Sequence, residues 1–116
     1  MGTTLTRTTE RGVLVVKLAG QLGGESRGSF ETFFLQEIPS KNLPVIVDCS
    51  ELQYLNSAGL RTFLKAKKQC SRMNLPFPAC FLHSEVAQIF ELAGFSKVIE
   101  IIPTLKEAFS TLGAAA

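Results

Sequence analysis

Apolar residues along the N-terminal half of the chain fall either into short runs, which predict strands, or three and four positions apart, which predicts helices. Threonine-rich residues 3–9 and the β-branched run Val13–Leu18 flank a polar turn at 10–12, a pattern typical of a hairpin. A helix is predicted next, from apolar residues spaced three and four apart: Phe30, Phe33, Phe34 and Ile38. Pro39 is expected to end it. The nearly continuous apolar run over 43–50 then predicts a strand covered on both faces.

The same alternation continues beyond residue 50. A short connection over 51–55 leads to a second helix, whose buried face is predicted from its apolar residues: Leu60, Phe63, Leu64 and Cys70. Residues 73–84 predict a strand. A third helix follows over 84–95, with Ser84 as its cap and Gly94 as its end.

The C-terminal residues add one more strand and one more helix. Residues 97–102 predict the strand, and Thr104 with Glu107 forms a capping box that opens a helix ending at Gly113. Strands and helices that alternate in this order favour right-handed crossovers and a partly parallel sheet. The sequence therefore predicts one α/β domain over 1–116, a mixed sheet of about five strands with about four helices packed on it.

Composition and charge narrow the class of protein. The chain of 116 residues is 46% apolar and 19% charged, typical of a globular domain, and its net charge of +2 is too small to predict nucleic-acid binding. The sequence contains no apolar run long enough to span a bilayer and its start lacks the pattern of a signal peptide, so we expect a cytoplasmic protein. The three cysteines lack metal-ligand spacing and are expected to be buried and reduced.

The residues that could support catalysis do not form a recognisable motif. His83 is the single histidine, and Ser57 lacks the glycine two positions earlier that a nucleophile elbow requires. The sequence contains neither of the glycine-rich motifs that hold phosphates, and Asp48 with Glu51 is weak evidence for acid–base chemistry. We therefore expect a protein that is not an enzyme and that needs neither cofactor nor metal.

The stretch Asn56-Ser57-Ala58-Gly59 places a hydroxyl among small residues where a strand gives way to a helix. Two interpretations of Ser57 are open. It caps the helix, a role in which serine contributes ~1 kcal/mol, or its hydroxyl accepts a phosphate. A helix N-terminus suits a phosphate, because free backbone N–H groups and the positive end of the helix dipole lie there.

The segment VIVDCSELQYLNSAGLRTFLKAKKQC, residues 45–70, resembles the signature of the STAS family. In that signature a strand ending in aspartate leads to D-S-[ST]-G-L or S-S-A-G-L. The resemblance extends over almost the whole chain, because residues 13–30, 92–101 and 104–113 are similar to the family's second strand and turn, its late helix-to-strand segment and its last helix. The chain is most similar to the free-standing anti-sigma factor antagonists of bacteria.

This resemblance implies a phospho-switch protein. Its partners would be an anti-sigma factor serine kinase of the histidine-kinase-like ATPase type, which it binds when unphosphorylated and leaves once Ser57 is phosphorylated, and a serine phosphatase that resets it. Asn56 stands where the family usually has aspartate or serine, and Gly23 where aspartate is common. The implied partner-binding residues are Asn56, Ser57, Ala58, Gly59, Leu60, Arg61, Gln21 and Gly23.

Two further expectations concern the surroundings of Ser57. Loops 20–25 and 83–85 are expected to join the partner surface, whereas the basic residues of the helix, Arg61 apart, are interpreted as a solvated face. The alternative function is a STAS interaction subunit that is not phosphorylated, in a lipid-transport or stress-signalling assembly. Neither function involves nucleic acid or membrane insertion.

Overall fold

The order of elements along the chain is the predicted one. The computed structural model describes residues 3–22, 32–55, 57–81, 83–92, 94 and 97–112. The strands are β1 (Thr3–Glu10), β2 (Val13–Leu22), β3 (Val45–Leu55), β4 (Ala79–Cys80) and β5 (Ile101–Ile102). The helices are α1 (π-helical over Phe33–Glu37, then α-helical over Ile38–Lys41), α2 (Ser57–Arg72), α3 (Ser84–Leu92) and α4 (Leu105–Thr111).

The five strands form one mixed sheet whose spatial order is the chain order, β1-β2-β3-β4-β5. β1 and β2 are antiparallel, and the other three pairs are parallel. The hairpin turn consists of Arg11 and Gly12, both with positive φ, as a tight two-residue turn requires. The predicted mixed α/β sheet with four helices is confirmed.

Two apolar clusters lie on opposite faces of the sheet. The larger contains Leu14, Val16 and Leu18 of β2 together with side chains from α1, α2 and α3. The smaller contains Val13 and Val15 with side chains from α4. Strand β3 is buried on both faces over Val45, Ile46, Val47, Asp48 and Cys49, as its continuous apolar run predicts.

The centre of the larger cluster is a group of four phenylalanines. The ring of Phe63, on α2, lies 5.6 Å from Phe34 of α1, 6.0 Å from Phe77 and 5.4 Å from Phe90 of α3, measured between ring centroids. All four side chains are fully buried. Phe63 therefore fixes α2 against both neighbouring helices.

The first helix ends later than predicted. Pro39 does not stop α1, which continues to Lys41. The Ser40 hydroxyl donates to the Glu37 carbonyl oxygen at 2.7 Å, in a segment where proline cannot donate a backbone hydrogen bond. The helix ends at Lys41, and the next residue, Asn42, has a φ of 53°, the left-handed conformation common just after a helix.

Four strand predictions were also wrong in extent. β2 continues past the predicted Leu18 to Leu22, because it stays paired with β3, so residues 20–22 of the predicted loop 20–25 are strand. The predicted connection 51–55 is strand, because β3 stays paired with β2 as far as Leu55. β4 is reduced to Ala79–Cys80, since the prolines before it contribute only carbonyl acceptors and Phe81 has a φ of 59°. β5 is reduced to Ile101–Ile102, because residues 97–99 form a turn.

The three cysteines are buried and free, as predicted. Burial raises the pKa of the Cys70 thiol to about 11, and burial, with the nearby Asp48 carboxylate, raises that of Cys80 to about 12. Both thiols are therefore protonated at neutral pH and unreactive as nucleophiles.

The capping of α4 follows the prediction and can be tested. Thr104 Oγ1 accepts a hydrogen bond from the Glu107 backbone N–H at 3.1 Å. Thr104→Ala removes this acceptor and is expected to lower the free energy of unfolding by about 1 kcal/mol, measured by urea denaturation. Thr111→Ala, at the exposed end of the same helix, is the control and is expected to stay within about 0.5 kcal/mol of the wild type. Equal losses in the two variants would contradict the capping role.

Candidate functional site

The helix α2 begins at Ser57, only one residue after β3 ends at Leu55. Its first turn, and with it the positive end of the helix dipole, therefore lies at the carboxyl edge of the parallel part of the sheet. The helix has 16 residues and its first turn contains no acidic residue. Asn56 and the side chain of Ser57 lie outside the part of the chain that the structure describes.

The four residues after Ser57 divide between core and surface. Ala58 is half-buried, and its carbonyl oxygen accepts a hydrogen bond from the Thr62 hydroxyl at 3.2 Å. Gly59 is buried and Leu60 packs against the larger apolar cluster. Arg61 is exposed. Among the predicted binding residues on described positions of α2, Arg61 is exposed, whereas Gly59 is buried.

The end of β2 lies beside the start of α2, as the predicted shared surface requires. In the parallel register Gln21 is paired with Tyr54 and Leu22 with Leu55. The end of β2 at Leu22 therefore lies next to the start of α2. Gly23, predicted to contact the partner, lies outside the described residues.

Two register shifts between β2 and β3 shape this edge. Two residues of β3 lie between Asp48 and Glu51 where one residue of β2 lies between Lys17 and Ala19, and a second extra residue precedes Tyr54. Such bulges increase the local twist of a strand and change where its side chains point. Here Glu51 and Tyr54 are exposed, and Tyr54 keeps 49% of its surface accessible.

The first bulge is held by polar contacts of its own residues. The Asp48 carboxylate, 8% exposed, accepts a hydrogen bond from the Ser50 N–H at 2.9 Å. Lys17 Nζ lies 2.8 Å from Glu51 Oε2, and the Glu51 carboxylate raises the pKa of Lys17 by hydrogen bonding and by its charge. Asp48 and Glu51, which sequence alone left as possible acid–base groups, therefore have structural partners.

The segment before α3 reaches the same part of the sheet. His83 Nε2 is in hydrogen-bonding contact with the Ser50 carbonyl oxygen, although the His83 side chain is exposed overall. The prediction that Ser84 caps α3 is wrong by one residue, and the cap position is His83. The His83 carbonyl oxygen accepts a hydrogen bond from the Ala87 N–H, and Ser84 is already helical. His83 thus lies beside β3, and the place of residues 83–85 in the partner surface stays a prediction.

The described ranges contain neither a candidate metal site nor a helix suited to crossing a membrane. Within them, His, Cys, Asp and Glu residues do not cluster in threes that could hold a metal ion. The described helices include none with the length and apolarity needed to cross a membrane. The features that sequence reasoning missed are the exposed ring of Tyr54 and the Lys17–Glu51 pair, both created by bulges that have no clear sequence signal.

Comparison with known proteins agrees with this architecture. Residues 4–108 match the model of the STAS domain. BtrV of Bordetella bronchiseptica, whose name describes a candidate anti-sigma factor antagonist, is 27% identical over 90 residues, covering 78% of each chain. The crystal structure of an anti-sigma factor antagonist from Mycobacterium paratuberculosis superposes with a TM-score of 0.86 at 20% identity, over 96% of this chain and 94% of that one.

A second solved structure with this fold is that of the anti-sigma factor antagonist SpoIIAA. Its unphosphorylated form superposes with a TM-score of 0.78 at 14% identity, over 97% of this chain and 99% of that chain. Its phosphorylated form, described as a Bacillus cell fate determinant, gives a TM-score of 0.63 at 16% identity, over 93% of this chain and 98% of that chain. At these identities the two likenesses establish the shared fold.

Proposed function

Because this chain belongs to the STAS domain family, we propose that it is an anti-sigma factor antagonist whose partner binding is switched by a phosphate on Ser57. In the unphosphorylated state it binds an anti-sigma factor of the serine-kinase type. That kinase transfers the γ-phosphoryl group of ATP to the Ser57 oxygen, the hydroxyl proton is released, and ADP leaves. A serine phosphatase hydrolyses the phosphoserine and restores binding. The chain itself acts as a binding protein in the cytoplasm.

The observation that supports this proposal best is the position of Ser57 as the first residue of a 16-residue helix without acidic neighbours in its first turn. A phosphoserine carries about −1.5 to −2 charge at pH 7. The positive end of the helix dipole stabilises a negative charge there by about 0.3–1 kcal/mol. Arg61, exposed and one turn along the helix, adds a cation at a favourable spacing. The fold can thus accept the phosphate without rearrangement.

The same phosphate is expected to disrupt a protein interface over the start of α2. The proposed surface joins Ala58, Leu60 and Arg61 to the end of β2 at Gln21, with Tyr54 between them in the parallel register. Asn56 and Gly23, which lie outside the described residues, are proposed to complete it. A bulky dianion introduced into such a surface loses most of its hydration on binding, and burying a charge without a partner is strongly unfavourable.

The experiment that tests this function is phosphorylation by the anti-sigma kinase of the same cell. The protein is incubated with that kinase, ATP and Mg²⁺, and also isolated from its native cells under growth and under stress. Intact-mass and phosphopeptide analysis are expected to find one phosphoryl group, located on Ser57.

Two serine variants make the assignment specific. Ser57→Ala is expected to remain unmodified, whereas Ser71→Ala, which removes an exposed hydroxyl from the other end of α2, is expected to be phosphorylated like the wild type. If Ser57 stays unmodified in all conditions while a stable partner co-purifies, the phospho-switch is wrong and the chain is a constitutive docking subunit.

A further inference from the structure

Helix α2 exposes an unusual concentration of positive charge. Among its side chains described as exposed, all except that of Ser71 are cations: Arg61, Lys65, Lys68 and Arg72. The 16 residues of the helix include no aspartate or glutamate. These four cations are called the basic stripe below.

The basic stripe is aligned with Ser57. Successive positions from Ser57 through the stripe to Arg72 are separated by four, four, three and four residues. At 3.6 residues per turn these spacings keep all five positions within an arc of roughly 80° on one face of the helix, and the stripe is roughly 17 Å long. Ser57 therefore occupies the N-terminal end of the same face.

Three of the six lysines and arginines elsewhere in the described residues have a partner, whereas the stripe has none. Arg7 pairs with Glu37 at 2.9 Å, Lys17 pairs with Glu51 at 2.8 Å, and Arg11 lies 5.1 Å from the centroid of the Phe109 ring. The four stripe cations form no ion pair within those residues. Like charges three and four positions apart destabilise a helix, so this arrangement is unfavourable for the free protein.

We propose that the basic stripe is a docking surface for an acidic face of the same protein that binds over Ser57. The inference rests on the proposed function and specifies the chemistry of the partner. A protein seated on the first turn of α2 also lies above Arg61 and Lys65, because these residues continue the same face. Neighbouring positions of the stripe are three or four residues apart, roughly 5–6 Å between Cβ atoms. This spacing is shorter than a Debye length of about 8 Å, so neighbouring cations act on an acidic partner jointly.

This surface also explains how a phosphate on Ser57 releases the partner. The phosphate adds negative charge at the head of the stripe, where it pairs with Arg61 and repels the acidic face. The partner's acidic face, which the stripe attracts, is then repelled at the Ser57 end of the stripe. An anionic membrane is a poorer occupant, because the apolar face of α2 is buried in the core and leaves little apolar surface for lipid.

The proposal is tested by charge reversal on the full chain. Lys65→Glu with Lys68→Glu reverses the centre of the stripe, and Lys97→Glu with Lys106→Glu makes the same net change at exposed positions outside α2. Association with the anti-sigma factor of the same cell is measured at low and high ionic strength. The reversed stripe is expected to lower kon about tenfold or more at low salt, and the control to stay within about twofold.

The outcomes separate this proposal from the proposed function. If the stripe variant associates as fast as the wild type, the stripe is a solvated face while the antagonist function stands. If the wild type does not bind the anti-sigma factor at all, both are overturned. Tighter binding of the wild type to phosphatidylglycerol vesicles or a DNA duplex than to the anti-sigma factor would also overturn it. Circular dichroism confirms folding, and Lys65→Gln with Lys68→Gln replaces the reversed variant if that fails to fold.

Discussion

Replacing Ser57 by glutamate is expected to weaken binding to the anti-sigma factor by about 2 kcal/mol or more, roughly thirtyfold in Kd. The substitution places a permanent negative charge at the first residue of α2, beneath the proposed partner surface. The same charge is favourable in the free protein because it lies at the positive end of the helix dipole. The free energy of unfolding is therefore expected to stay unchanged or to rise by about 0.3–1 kcal/mol. Isothermal titration calorimetry and urea denaturation measure the two effects.

Ser71→Glu is the matched control for that experiment. It adds the same charge to an exposed serine of the same helix, but near the C-terminus, where a negative charge is unfavourable to the dipole. Binding is expected to change much less than in the Ser57 variant, while stability falls slightly. A Ser57→Glu protein that binds as tightly as the wild type would remove Ser57 from the partner surface.

Replacing Phe63 by alanine is expected to lower the free energy of unfolding by about 3–5 kcal/mol. Its ring is fully buried and lies within 6.0 Å of three other phenylalanine rings, which come from α1, α3 and the segment before β4. Removing it leaves a cavity between three elements that cannot all close in, in addition to the lost transfer free energy. Because Phe63 lies on α2, the start of that helix is expected to lose order together with the core.

Thermal and urea unfolding measure this loss, and two variants calibrate it. Phe63→Leu keeps most of the side-chain volume and is expected to cost less than half as much. Leu92→Ala removes a large apolar side chain that is 89% exposed, so its effect is expected within about 0.5 kcal/mol. A Phe63→Ala protein as stable as the Leu92→Ala protein would show that the aromatic group is not the centre of the core.

The order of elements was predictable because burial on this fold follows simple periodicities. The nearly continuous apolar run over 43–50 predicts a strand covered on both faces, and the structure buries residues 45–49 of that run. The predicted extent of a strand was wrong where hydrogen bonding to a neighbouring strand outweighs the pattern of apolar side chains. β3 continues through Glu51 and Tyr54 because β2 supplies hydrogen-bond partners, whatever the polarity of those residues. The helix α1 continues past Pro39 to Lys41, just before Asn42, whose positive φ ends it.

The position of the candidate site in the fold was predictable from sequence, but the side chains exposed around it were not. Small residues after a buried strand indicate the start of α2, and parallel pairing brings Gln21 to the same edge. The exposed ring of Tyr54 depends on two bulges, and a bulge changes side-chain direction without a distinctive residue type to announce it. From sequence, the basic residues of α2 apart from Arg61 are interpreted as a solvated face. Their alignment with Ser57 follows from spacing, but their exposure and the lack of ion pairs within the described residues are properties of the folded chain.

The agreement between chain order and spatial order in the sheet has a consequence for biosynthesis. Each strand lies beside the strand that precedes it, so none has to be inserted between two strands that have already paired. The N-terminal hairpin has only a two-residue turn to close, and every later strand adds at the growing edge. Sheet assembly can therefore follow the order in which residues leave the ribosome, since translation at about 5–20 residues per second is slow beside hairpin formation in microseconds. The nascent chain would expose one unpaired growing edge at a time, which limits the opportunity for wrong strand pairing during synthesis.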